Sequence, residues 1–121
     1  MNVASRYEKY RAEKEGKKMM NQIILVGRLV TTKDLNGETI ITLACNRPFK
    51  NTEGEYETDF IDFKLFGQVA NSTKEYCKKG DIIGVRGRIQ TKVIEDTKVT
   101  ELIADKITFL STNPNLKKEE E

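Results

Sequence analysis

Phe60 and Phe66 share one side of a run that also carries Asp62 and Lys64, D-F-I-D-F-K-L-F-G at 59–67. In an extended chain alternate side chains point to opposite faces, so Ile61, Phe63 and Leu65 form an apolar face while Phe60, Asp62, Lys64 and Phe66 form a mixed one. Burying the mixed face in an ordinary core would take Asp62 and Lys64 from water without evident partners, so it is expected on the surface. The run 81–95 repeats the alternation, with Ile83, Val85, Ile89 and Val93 on one side and Arg86, Arg88, Gln90, Lys92 and Ile94 on the other. Like charges at neighbouring positions of one face are unfavourable unless an anion lies across them. Rings interleaved with cations therefore suit a ligand that is part apolar and part anionic. Unpaired bases stack on Phe for about 1–3 kcal/mol each, while Lys and Arg follow phosphates and release counterions. A duplex hides its base faces, so this surface would select single strands without reading sequence.

A basic stripe alone favours a subunit interface or a solvated sheet face, since runs of charge are usually just solvated. Its coincidence with alternating phenylalanines, and with a projecting loop bearing Arg47, Phe49 and Lys50, favours nucleic acid. In the same loop Tyr56 either stacks on a base or closes the loop. Phe109 is expected in the core.

The elements that must hold these residues are strands. Gln22–Leu29 is rich in β-branched residues and contains Gly27, a mark of a bulge or bend. Asn36-Gly37 is a hairpin turn signal, and Thr39–Asn46 alternates, with Ile41, Leu43 and Cys45 on one side and Thr42, Ala44 and Asn46 on the other. Residues 47–57 read as a polar loop, and the strand with Phe60 follows. Residues 68–79 change period: Val69, Thr73, Tyr76 and Cys77 form the core stripe of a short helix, which Lys78, Lys79 and Gly80 end. A long strand over 81–95, a turn at Asp96-Thr97-Lys98 and a last strand, Val99–Leu110, complete the order. The expected fold is all-β, a five-stranded Greek-key barrel with one short helix between strands 3 and 4, the order of the OB-fold.

Nearly all the Ile, Leu, Val and Phe lie between Met19 and Thr112, which sets the domain at 19–112. Within it thirteen Lys or Arg face thirteen Asp or Glu, so it is formally neutral, and affinity for a polyanion must come from local arrangement. Cys45 and Cys77 are too few for a disulfide framework or zinc site and are expected as free thiols in a reducing compartment. No apolar run reaches membrane-spanning length and no signal-peptide core is present, so a cytoplasmic protein is expected. Residues 1–18 form a charged extension, read either as a weak helix carrying Tyr7 and Tyr10 or as a consequence of upstream initiation. Lys14-Glu15-Gly16 can be encoded by a purine-rich ribosome-binding sequence, which would place the start at Met19 or Met20. Residues 113–121 are a short charged tail.

G-R-L at 27–29, L-A-C-N-R-P-F at 43–49, D-F-I-D-F-K-L-F-G at 59–67, Y-C-K-K-G-D at 76–81 and G-R-I-Q-T-K at 87–92 resemble the bacterial single-stranded-DNA-binding protein family, in order and spacing, over about Met20 to Leu110. The resemblance implies an OB-fold homotetramer that binds single-stranded DNA in replication, recombination and repair, with no cofactor. It places base-stacking platforms at Phe49, Phe60 and Phe66, and a fourth, often aromatic in relatives, at Ile94. The first two are frequently Trp in the family, and this chain has none. Family members commonly end in an acidic tip closing on Pro-Phe that recruits replication and repair enzymes. Here the sequence ends L-K-K-E-E-E, and recruitment through a tip is expected to be lost or reduced.

An enzyme is disfavoured: the chain has no histidine, no P-loop glycine pattern and no carboxylate cluster apart from the surface pattern, since Asp59 and Asp62 face opposite ways. A related OB module acting as a primosome accessory or RNA binder, or a scaffold subunit that binds no nucleic acid, are the other classes. Preference for RNA or dimeric assembly would mark the former.

Overall fold

Alternating aliphatic residues favour extended chain wherever one face can be buried, and this chain does so five times. The computed structural model describes residues 2–8 and 19–111. A four-residue helix, α1 (Val3–Arg6), is followed by β1 (Ile23–Leu35), β2 (Glu38–Lys50), β3 (Tyr56–Leu65), α2 (Gly67–Tyr76), β4 (Ile82–Ile94) and β5 (Thr97–Ser111). The strands close a barrel in the order β1-β2-β3-β5-β4. All neighbours are antiparallel except β3 and β5, which meet in parallel at Lys64 and Ile103. This is the expected five-stranded OB-fold, with its helix between the third and fourth strands.

Closure depends on bends. β1 uses its first half, Ile23–Arg28, against β4 and its second, Arg28–Leu35, against β2, with the register shifting between Leu29 and Thr31. The two-residue turn at Asn36-Gly37 has positive φ at both residues, the twist that matches a tight hairpin. A second shift falls between Arg86 and Gly87, where β5 lies so close that a Cβ on Gly87 would stand 2.0 Å from the Ile103 carbonyl oxygen. Only glycine fits there. The core inside comprises Leu29, Ile41, Leu43, Phe63, Leu65, Ile83, Val85 and Ala104, with Ala70 of α2 packed against them. Gly80 and Asp81, just past α2, pair with the backbone of Leu29, and the Arg28 guanidinium donates to the Gly80 carbonyl at 2.6 Å.

Several expectations are corrected. The expected loop at 47–57 is an arm: β2 runs on to Lys50, paired with Tyr56, and only 51–55 turn. The Asn51 carboxamide oxygen closes that turn by accepting the N–H groups of Glu53 and Glu55. The β4–β5 turn lies at Glu95-Asp96, one step earlier than the sequence suggested, both residues having positive φ. Ile89 and Val93 are exposed, because beyond Gly87 the strand pairs only with β5 and the two project as a ribbon past the core. Tyr76 and Phe109 are exposed as well, while Thr73 and Ala70 carry the buried stripe of α2. Of the N-terminal extension, Val3–Arg6 is helical and Tyr7 lies under the Lys98 ammonium, 5.1 Å from the ring centre. Tyr10, the Lys14-Glu15-Gly16 run and the tail at 113–121 lie outside the described residues.

Candidate nucleic-acid interface

Because Phe63 and Leu65 point into the barrel, Phe60, Asp62, Lys64 and Phe66 must point out, and they do. Phe60 is 66% exposed and Phe66 50%. An open groove of about 510 Å³ runs beside this face, lined by Phe60, Lys64, Lys92, Ile94, Val99 and Glu101. The third and fourth strands thus contribute to one surface, with β5 between them. Phe49, Lys50 and Tyr56 stand exposed on the β2–β3 arm, the Lys50 ammonium 5.7 Å from the Tyr56 ring centre. Arg86 is set apart: it lines a second depression with Met19, Met20, Asn21, Gln22 and Asp105.

The cations are not bare. Lys64 lies 3.1 Å from Glu38 and also contacts Glu101, and Lys92 reaches the same Glu101 oxygen at 3.2 Å. Arg88 pairs with Asp105. Arg47 grips Asp59 with two hydrogen bonds, at 3.0 and 3.1 Å, and also Glu57. Asp62 accepts from the Thr42 hydroxyl. The anion that the row of cations requires is therefore partly the protein's own, supplied mainly by β5. Lys50 and Arg86 have no carboxylate partner among the described residues.

These contacts shift protonation equilibria. The Lys64 ammonium beside Glu101 is held above the ordinary lysine range, and the same contact, aided by Lys92, holds the Glu101 carboxyl below the ordinary carboxylate range. The Arg47 hydrogen bonds likewise lower Asp59. Burial pushes both thiols, Cys45 and Cys77, upward. Sequence reasoning missed Glu38, Glu101 and Asp105. The signal for Glu101 was available: a lone carboxylate between Val99 and Ile103 on one strand face asks for a cation across the sheet.

The outer face of β1, β4 and β5 has a different character. Ile24 and Val26 are exposed on β1, opposite Arg86 and Gly84, and Leu110 extends the patch on β5.

A closed five-stranded barrel with Phe60, Lys64 and Lys92 on one outer groove has the form of an OB-fold binding module, with no group of three potential metal ligands among the described residues. Residues 20–110 match the model of the single-strand binding protein family, and the chain belongs to that family. It is 42% identical to single-stranded DNA-binding protein B of Bacillus subtilis (strain 168), over 82% of this chain and 97% of that one. It is 43% identical to the single-stranded DNA-binding protein of Oceanobacillus iheyensis, over 78% of this chain and 65% of the relative, so it spans under two thirds of that longer protein. Among solved structures, a Plasmodium falciparum SSB complex with ssDNA superposes with TM-score 0.62 at 25% identity, covering 79% of this chain and 99% of that one.

Proposed function

We propose that this protein binds single-stranded DNA without reading sequence, as a binding protein and not an enzyme. The observation that carries the reading is the exposure of Phe60 on β3 over a groove that also holds Lys64, Lys92 and Ile94, with Phe66 exposed at the step just past the end of the strand. Phe49, Phe60 and Phe66 serve as stacking platforms, with Ile94 as a weaker aliphatic one and Tyr56 as an accessory ring on the arm. Arg47, Lys50, Lys64, Arg88 and Lys92 follow the phosphates, and Arg86 joins the path where the strand continues past Met20 and Asn21. The family membership and the names of the relatives above support this reading and the wider role in replication, recombination and repair.

Assembly as a homotetramer is part of the proposal. The exposed apolar patch of Ile24, Val26 and Leu110 supports it, since monomers rarely leave such patches uncovered. The unit that binds is the domain 19–112, acting in the cytoplasm. No described helix is long and apolar enough to cross a membrane. The test is binding to labelled oligo-dT against duplex and oligo-U of equal length across a salt series, with mass measured by light scattering. Preference for oligo-dT that weakens with salt is the expected result. Equal affinity for the duplex would assign the Phe and Arg face to a protein interface instead.

A further inference from the structure

We propose that Glu101 is a positioning residue that competes with phosphate for Lys92, so that the groove favours a ligand offering bases together with phosphates over a bare polyanion. The proposal rests on the single-strand-binding reading. Glu101 is buried, and its side-chain oxygen Oε2 meets two ammonium groups, Lys64 and Lys92, instead of a hydroxyl or a backbone N–H. Glu38 holds Lys64 from the other side. Two lysines and two glutamates make this cluster formally neutral. The lysines differ in freedom: the Lys64 side chain is 18% exposed and Lys92 40%. Lys92 is thus the cation that can turn to a phosphate, and it must leave Glu101 to do so.

That exchange has a thermodynamic signature. A free lysine that neutralises a phosphate lowers the ion uptake of the DNA, and the log of affinity falls with log salt by about 0.7 per contact on a single strand. When the lysine abandons a fixed carboxylate, the charge uncovered on Glu101 offsets the charge covered on the DNA, and the contact becomes nearly independent of salt. A polyanion without bases gains nothing from such a neutral cluster. A strand whose base stacks on Phe60 brings its phosphate to Lys92 with the stacking energy behind it.

The experiment uses the full chain with Glu101→Gln, which keeps the side-chain size and one acceptor oxygen for Lys64. Oligo-dT and inorganic polyphosphate are the probes, each across 50 to 200 mM salt. For oligo-dT, E101Q is expected to bind more tightly at 50 mM, with that gain shrinking about 2.6-fold by 200 mM, the effect of one added contact. Polyphosphate binding should rise more than oligo-dT binding. Weaker oligo-dT binding, or an unchanged salt slope, would overturn the proposal. Should E101Q fail to fold, two variants of the native background decide: Lys50→Gln, on a lysine without a carboxylate partner, should flatten the slope by about 0.7, and Lys92→Gln should leave it unchanged. Equal flattening by both would also overturn it. Loss of all effect from Phe60→Ala and Lys50→Gln would instead show that the groove does not bind the strand, and the proposal would fall with the interface.

Discussion

Replacing Phe60 by Ala separates an exposed platform from a core ring. A fully buried Phe→Ala costs about 3–5 kcal/mol. Phe60 keeps 66% of its surface in the open, so about a third of that, roughly 1–2 kcal/mol, is the expected loss of stability. For a domain of this size that corresponds to a fall in Tm of very roughly 4–16 °C. Phe63, fully buried three residues later on the opposite face, should lose the whole 3–5 kcal/mol and fold poorly. Binding should show the reverse order. Loss of one stacked base costs about 1–3 kcal/mol, so affinity for oligo-dT should drop about 5- to 150-fold in Phe60→Ala. Phe66→Ala, on the same face, should add to this. The assay is anisotropy of a labelled oligo-dT titrated with each folded variant, alongside thermal melts. A melt of Phe60→Ala as damaged as that of Phe63→Ala, with oligo-dT affinity intact, would refute the assignment.

Gly87→Ala should prevent folding or lower Tm severely, since the new Cβ would stand 2.0 Å from a backbone oxygen, whereas Gly84→Ala, with its nearest neighbour at 3.7 Å, should melt near the native temperature. Circular dichroism melts compare the two. Because burial raises the thiols above their ordinary value of 9.0, with Asp59 and Asp81 adding to the effect, Cys45 and Cys77 should react with a disulfide reagent at pH 8 more slowly in the native than in the urea-unfolded protein. Equal rates would contradict this. The Glu101 carboxyl, lowered in the folded state, adds stability above the ordinary 4.5 that is lost as pH falls through its folded value, while Lys64, raised, adds stability below 10.5 that is lost as pH rises through its own. Urea midpoints measured against pH should decline on both limbs, and E101Q should flatten the acid one.

The strands were legible because each carries one continuous apolar face, and the Asn36-Gly37 turn because few other pairs accept two positive φ values. Position along the fold was harder to read. Ile89 and Val93 sit in phase with Ile83 and Val85, yet periodicity cannot reveal that the barrel ends at Gly87 and leaves the ribbon beyond it uncovered. Tyr76 misled for a related reason: α2 touches the barrel through Val69, Ala70 and Thr73, and Cys77 just past it packs inward, which leaves the large ring at its last position exposed. The outward Phe60 and Phe66 followed from alternation alone. The pairing of the cations did not, since Glu101 is far from Lys64 in sequence and meets it only through the single parallel contact of β3 with β5.

That pairing reshapes what the charge of the groove means. Six cations were read from the sequence as phosphate contacts: Arg47, Lys50, Lys64, Arg86, Arg88 and Lys92. If all six acted as free charges, the log of affinity for a short oligo-dT confined to one protomer would fall with log salt at a slope near −4. Four of them are held by Glu38, Glu57, Asp59, Glu101 and Asp105, leaving Lys50 and Arg86. Two free contacts give a slope of only about −1.4, and one about −0.7. On the proposed reading, a formally neutral domain therefore holds a polyanion largely through its rings, with cations that guide the phosphates more than they attract them. Titration of such an oligo-dT between 50 and 200 mM salt distinguishes the cases, and a slope near −4 would mean that the carboxylates do not hold these cations in the free protein.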